Sequence, residues 1–351
     1  MVAVEGDVAH ELGAKSDVAH PPKRKDVQGL RAVAVCMVIV YHYFPAAVRG
    51  GFVGVDVFFV ISGFLITGLL VRELERTRSI SLSTFYSRRV RRLMPTAFAT
   101  TATTVVAAFF IVAPVRFVSV LRDATWTGAY LANVQFARVK GGYFAAANPS
   151  PLLHLWSLAV EEQYYLIWPL LLLGVALVTK KRALSFLPGI LAVVFAGSLL
   201  ASIVLTGSNA NFAYYSLATR AWELAIGGIV ALLVFRNHLL RRSNLAVPLS
   251  VIGMLVTLAG AFAYSRNTAF PGMAALLPTA GTAFVIWAGT YHHGLVSRGL
   301  SVRPAQMIGD MSYSLYLWHW PVLILGVEVM GGSLAARAFL LGLTALLSGA
   351  S

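Results

Sequence analysis

The chain has 351 residues, of which 58% are apolar and 12% charged, with a mean hydropathy of +0.75. An ordinary soluble domain carries about 25% charged residues, so this chain has too little polar surface to cover a water-soluble globule, and the soluble enzyme classes are excluded. Its 28 Lys and Arg against 14 Asp and Glu leave a net charge of +14. In so apolar a chain that excess points to cytoplasmic loops beside anionic lipid, and not to nucleic acid. Cys36 stands alone, so no intrachain disulfide can form.

Residues 1–25 hold an imperfect repeat, DVAH at Asp7–His10 and again at Asp17–His20, ahead of Pro21-Pro22 and a basic run. They read as a disordered cytoplasmic tail. A cleaved signal peptide is the rival, but the first apolar run carries Tyr41 and His42 and is long for a signal core. A hydrocarbon layer of about 30 Å needs roughly 20 apolar residues per crossing. Ten runs qualify, starting with Leu30–Val48, Phe52–Val71, Thr96–Val112, Leu153–Val178 and Leu184–Leu205. Phe212–Phe235, Leu245–Tyr264, Met273–Thr290, Ala305–Glu328 and Ser333–Ser351 complete the set. Continuous rather than alternating apolarity makes them helices, so the predicted fold is an all-α polytopic transmembrane bundle of about ten helices. The connection Pro114–Ser150 contains Asp123, Trp126 and Asn133 and is expected to lie at the outer surface or to re-enter. The last run stops at Ser351 without a polar tail, which reads as a truncation.

Lys and Arg set the direction. With the N-terminus in the cytoplasm, inner segments hold Lys15, Lys23–Lys25, Arg31, seven arginines from Arg72 to Arg92, Lys180–Arg182, Arg236, Arg241, Arg242, Arg298 and Arg303. Those are twenty of the 28 basic residues. Only Arg49, Arg116, Arg122, Arg138, Lys140 and Arg266 fall outside, while Arg220 and Arg337 lie within runs. The asymmetry is the positive-inside pattern.

Charges in lipid are costly, so each ionisable residue within a run is a functional candidate. Asp56, Glu161, Glu162, Glu223, Arg220, His42 and His319 form that set. His42 follows Arg31 by 11 residues, about three helical turns, which places both on one face with His42 in the outer half. Asp56 enters the second run at a comparable depth, and a carboxylate beside an imidazole can orient it as a base. A polar pair that simply joins two helices is the alternative. Glu161 follows His154 by two turns, and Arg220 and Glu223 are spaced i,i+3 as a structural ion pair would be. His319, two residues before Pro321, could serve a site or could bond a carbonyl freed by the proline.

Arg88, Arg89, Arg91 and Arg92 crowd the entrance to the third run. Lipid anchoring explains one or two of them, whereas four suit a phosphate-rich cytoplasmic ligand, because the guanidinium fork binds phosphate oxygens in pairs. No phosphate-binding glycine loop, zinc motif, other metal spacing or GxSxG elbow occurs, so no metal site is expected. Cys36 lies on a different helical face from His42 and makes a poor nucleophile.

Six blocks together carry a family resemblance. They are DVQGLRAVAVCMVIVYHY (Asp26–Tyr43), GGFVGVDVFFVISGFLIT (Gly50–Thr67), FYSRRVRRLMP (Phe85–Pro95), HLWSLAVEEQYYLIWP (His154–Pro169), RAWELAIG (Arg220–Gly227) and SYSLYLWHWP (Ser312–Pro321). In this order they resemble the acyltransferase-3 family, and most closely its bacterial branch that O-acylates cell-envelope glycans. Residues 26–351 then form the transmembrane acyltransferase domain. The resemblance implies a multi-pass protein of the bacterial inner membrane that draws an acyl group, often acetyl, from cytoplasmic acyl-coenzyme A. It implies an envelope glycan or glycolipid as acceptor and no permanently bound cofactor. His42 matches the family's essential first-helix histidine, and Arg89 and Arg92 match its acyl-CoA-associated RxxR motif. Members worded this way commonly continue with another helix and an SGNH-type esterase domain, which this chain does not include.

The residue reading and the resemblance converge on one expectation. Arg31 and the Arg88–Arg92 cluster hold the nucleotide phosphates, while His42, oriented by Asp56, acts as general base or first receives the acyl group. Two other readings use the same residues. A proton-coupled solute transporter would show inverted repeats, and none is evident; a non-catalytic acyl-CoA or lipid scaffold would bind without transferring.

Overall fold

The computed structural model describes residues 24–139, 142–145, 148–179, 182–236, 245–291 and 294–351. Among them every regular element is helical, and each of the ten apolar runs falls on helix. In chain order these are α1 (Lys25–Tyr43), a 3₁₀ turn (Gly51–Val53), α2 (Gly54–Thr77), α3 (Leu82–Ile111), α4 (Pro114–Gly128), α5 (Ala132–Arg138), α6 (Gly142–Ala145) and α7 (Leu155–Thr179). They are followed by α8 (Ala183–Ser208), α9 (Ala210–Tyr215), α10 (Leu217–Phe235), α11 (Ala246–Ala263), α12 (Leu276–Tyr291), α13 (Leu295–Leu300), α14 (Arg303–Met330) and α15 (Leu334–Ala350).

The expected tail falls almost wholly outside the described residues. Its last two members belong to the bundle: Lys25 opens α1, and Arg24 bonds Asp26 and, at 2.6 Å, the Thr290 hydroxyl. Six helical stretches among the described residues are long and apolar enough to cross a membrane, which corrects the expected ten. They are Gly51–Thr77, α3, α7, α8, Ala210–Phe235 and α11. α12 and α15 fall short in length, with 16 and 17 residues. α1 and α14 are diluted by polar side chains, including Arg31 and His42 in one and His319 in the other. The Pro114–Ser150 connection is helical, as α4, α5 and α6.

α2 occupies the centre, packed on α1, α10 and α12. It approaches α10 closely because glycines face backbone at the crossing. A Cβ on Gly63 would stand 1.9 Å from the Leu224 carbonyl oxygen, and one on Gly227 would stand 2.1 Å from that of Val60. Small residues at such a crossing let two helices bury each other's backbone in lipid, where dispersion rather than water expulsion holds them together. α1 packs along α14, and α14 along α15. These contacts bring the C-terminal end of α1, its expected outer end, against the middle of α14.

Candidate active site

Two cavities flank α1, and no residue lines both. The one on the expected cytoplasmic side, the inner cavity, has about 400 Å³ and lies among α1, α2, α3, α7 and α14. Arg31, Arg88, Arg89, Arg92, Glu161 and Glu162 all line it, as does Arg72 of α2. Arg91 does not, because helical spacing puts 88, 89 and 92 on one face of α3 and 91 on another. The arrangement is braced. Arg89 lies over the Tyr165 ring at 3.5 Å, and Glu161 accepts from the hydroxyls of both Ser62 and Tyr165. Glu162 faces Arg89. Five guanidinium groups against two carboxylates leave an excess of positive charge, suited to phosphate oxygens.

The cavity on the expected far side, the outer cavity, has about 320 Å³ and contains His42 at the end of α1. His42 Nδ1 lies 3.0 Å from His319 Nε2, and His42 Nε2 lies 2.9 Å from the Tyr143 hydroxyl on α6. His319 Nδ1 lies 2.6 Å from the Tyr316 carbonyl oxygen. A carbonyl only accepts, so His319 carries its proton on Nδ1 and presents a bare Nε2. His42 must then donate from Nδ1, which leaves its own Nε2 as the acceptor. Withdrawal from water pushes the Tyr143 hydroxyl well above its ordinary pKa, so it keeps its proton and donates to that nitrogen. One direction of donation runs through the whole chain: it starts at the Tyr143 hydroxyl, which donates to the His42 Nε2 lone pair at the outer cavity, and ends at the Tyr316 carbonyl.

Asp56 is not part of this chain, which corrects the expected His42–Asp56 pair. It is fully buried between α2 and α10, where Arg220 lies 3.2 Å from it and 2.9 Å from Glu223. The i,i+3 ion pair is therefore present with a third member. The rings of Phe59, Trp156, Tyr214 and Phe270 surround the Arg220 guanidinium at 5.4–5.8 Å. So enclosed a group holds helices together and has no open face toward substrate.

His319 also departs from one of its two expectations. Pro321 lacks the N–H that would bond the Leu317 carbonyl, but His154 Nε2 takes that carbonyl, at 3.1 Å. His154 stands in the turn before α7, edge-on to His319. The Tyr316 hydroxyl, 2.6 Å from Ser157 Oγ, donates to the His154 carbonyl oxygen. Tyr316 and Ser157 line the inner cavity, whereas the His319 ring is wholly buried behind them. Cys36 is exposed on α1, away from both cavities.

An acyltransferase domain family matches residues 24–349. The chain belongs to that family. It is 34% identical over 306 residues to O-acetyltransferase OatA of Staphylococcus aureus, covering 85% of this chain and 50% of the relative. Peptidoglycan O-acetyltransferase OatA of Listeria monocytogenes is 34% identical over 320 residues, with 87% and 50% covered. The chain thus spans about half the length of these relatives. No solved structure matches it.

Several residues that line the two cavities escaped the sequence reading. Arg72 was counted only as a loop charge, and Tyr316 and Ser157 carry no charge to mark them. Tyr143 sits in a glycine-flanked segment that reads as surface connection. An aromatic residue in a short polar loop was the only available signal.

Proposed function

We propose that this chain is the membrane unit of an O-acyltransferase that moves an acetyl group from cytoplasmic acyl-CoA to a hydroxyl of a cell-envelope glycan across the bacterial inner membrane. One observation carries the reading: an arginine-lined cavity and a cavity that holds His42 lie toward opposite ends of α1, and Tyr316, which lines the first, bonds through its carbonyl to His319, the partner of His42. Arg31, Arg72, Arg88, Arg89 and Arg92 hold the donor phosphates, and the thioester extends toward Tyr316. The acceptor hydroxyl replaces Tyr143 at His42 Nε2.

His42 takes the hydroxyl proton as the oxygen attacks the thioester carbonyl. The new C–O bond forms, the C–S bond breaks, and the leaving thiolate recovers the proton. His319 keeps His42 in the tautomer that makes this possible. The His42–His319 pair does the orienting that a carboxylate would otherwise do. Such base assistance is typically worth 10²–10⁴-fold.

Purified protein in lipid, given radiolabelled acetyl-CoA and envelope glycans, tests the reading. Wild type should label a glycan, and His42→Ala should lose at least a hundredfold in rate while remaining folded. Full activity in His42→Ala overturns the role of His42, and solute uptake without acetyl-CoA consumption overturns the function.

A further inference from the structure

The outer cavity has a feature that proton transfer at His42 does not require. Basic residues are scarce on the expected outer side, yet Arg116 and Arg266 from that small set both line this one cavity, and Arg337 of α15 joins them. Glu328 is the sole carboxylate in the lining, and Arg116 holds it at 2.7 Å. Arg337 donates to the Tyr43 carbonyl at 2.9 Å and to the Gly332 carbonyl at 3.1 Å. Arg266, exposed in the loop after α11, faces the Tyr41 hydroxyl. Among the described residues no carboxylate lies in ion-pair range of Arg266 or Arg337.

Three guanidinium groups against one carboxylate leave two positive charges in excess at a partly enclosed mouth. Such a concavity concentrates anions, because its low-dielectric walls focus the field. Guanidinium forks in turn match the paired oxygens of carboxylate and phosphate. A volume of about 320 Å³ is near the lower end of ligand pockets, which suits one sugar-sized unit better than an oligosaccharide.

We propose that the outer cavity recognises an anionic oxygen group, carboxylate or phosphate, on the hydroxyl acceptor, with Arg266 as its direct contact. Arg116 and Arg337 supply the surrounding field and hold the wall in place. The inference rests on the acceptor entering at His42, and it adds the acidic character of that acceptor.

Calorimetric titration of the full chain in lipid nanodiscs tests it without acyl transfer. Glucuronate and glucose 1-phosphate are the acidic probes; glucuronamide and glucose are their neutral counterparts. At least one acidic sugar should bind tenfold or more tightly than its counterpart, and the tighter of the two identifies carboxylate or phosphate as the preferred group. Arg266→Gln should abolish that preference and Arg266→Lys should keep part of it. Arg138→Gln, which alters an arginine over Trp126 away from the cavity, should leave it unchanged. Equal binding of acidic and neutral sugars, no saturable binding of either acidic sugar, or a preference indifferent to Arg266→Gln overturns the inference. An acidic preference in a chain that transfers no acyl group leaves the cavity assignment standing and removes the proposed activity. Equal transfer to acidic and neutral acceptors does the reverse.

Discussion

Two imidazoles share one hydrogen bond at the outer end of α1, and the carbonyl of Tyr316 decides which nitrogen of each carries the proton. His319 is thereby a positioning residue. His319→Phe would leave His42 Nδ1–H unsatisfied in a buried place, a loss of about 1–3 kcal/mol. The expected result is a kcat lower by about 10–100-fold on that scale, with KM for either substrate unchanged. His319→Gln, whose amide oxygen can accept, should recover part of the rate; steady-state kinetics on both variants decide it. Arg220 poses the opposite problem, that of a buried cation with two acids. Arg220→Met leaves Asp56 and Glu223 facing each other in the interior and should destabilise by about 3–5 kcal/mol. The triple variant Asp56→Asn, Arg220→Met, Glu223→Gln should recover most of that, as measured by thermal unfolding in detergent. The i,i+3 spacing of Arg220 and Glu223 was enough to expect their ion pair, but no spacing pointed to Asp56 as its third member or to His319 as the partner of His42. Asp56 and His42 look like neighbours across a short turn, yet Asp56 is directed to α10 while His42 meets a residue 277 positions away.

At the scale of elements, the α2–α10 crossing depends on bare backbone. Gly227→Ala would force a methyl group against the Val60 carbonyl and should cost about 1–3 kcal/mol, as overpacking does. Gly174→Ala on α7, where a Cβ meets nothing within 4 Å, should leave the unfolding temperature unchanged. Helix type and order were legible because lipid demands long uninterrupted apolar runs. The number of strongly apolar crossings was not. α1 and α14 carry the polar side chains of the site, and those same side chains lower their hydropathy. The loop between α3 and α7 was equally opaque. Its polar residues are consistent with a surface connection, but α6 places Tyr143 against His42.

For the whole molecule, the proposed function gives the two cavities two kinds of recognition. Arg89→Gln with Arg92→Gln should raise KM for acetyl-CoA by about 10–100-fold, from the loss of charge-assisted hydrogen bonds. KM for the glycan should stay unchanged; initial-rate measurements with each substrate varied in turn provide the check. The arginine block was readable because four cations in five residues exceed what anchoring needs. The arginines of the outer cavity were not readable, since Arg116, Arg266 and Arg337 are scattered along the chain and meet only in three dimensions. The hydroxyl pair of Tyr316 and Ser157, with the buried His319 ring behind it, has a further meaning for the cell. A bacterium stores energy as a voltage and a proton gradient across its inner membrane, where the proposed function puts this chain. An open bore from the arginine chamber to His42 would drain that store continuously. With a hydroxyl pair and a buried imidazole between the two cavities, the proposed enzyme would insulate that store, and an acetyl group would pass only when those side chains make room for it.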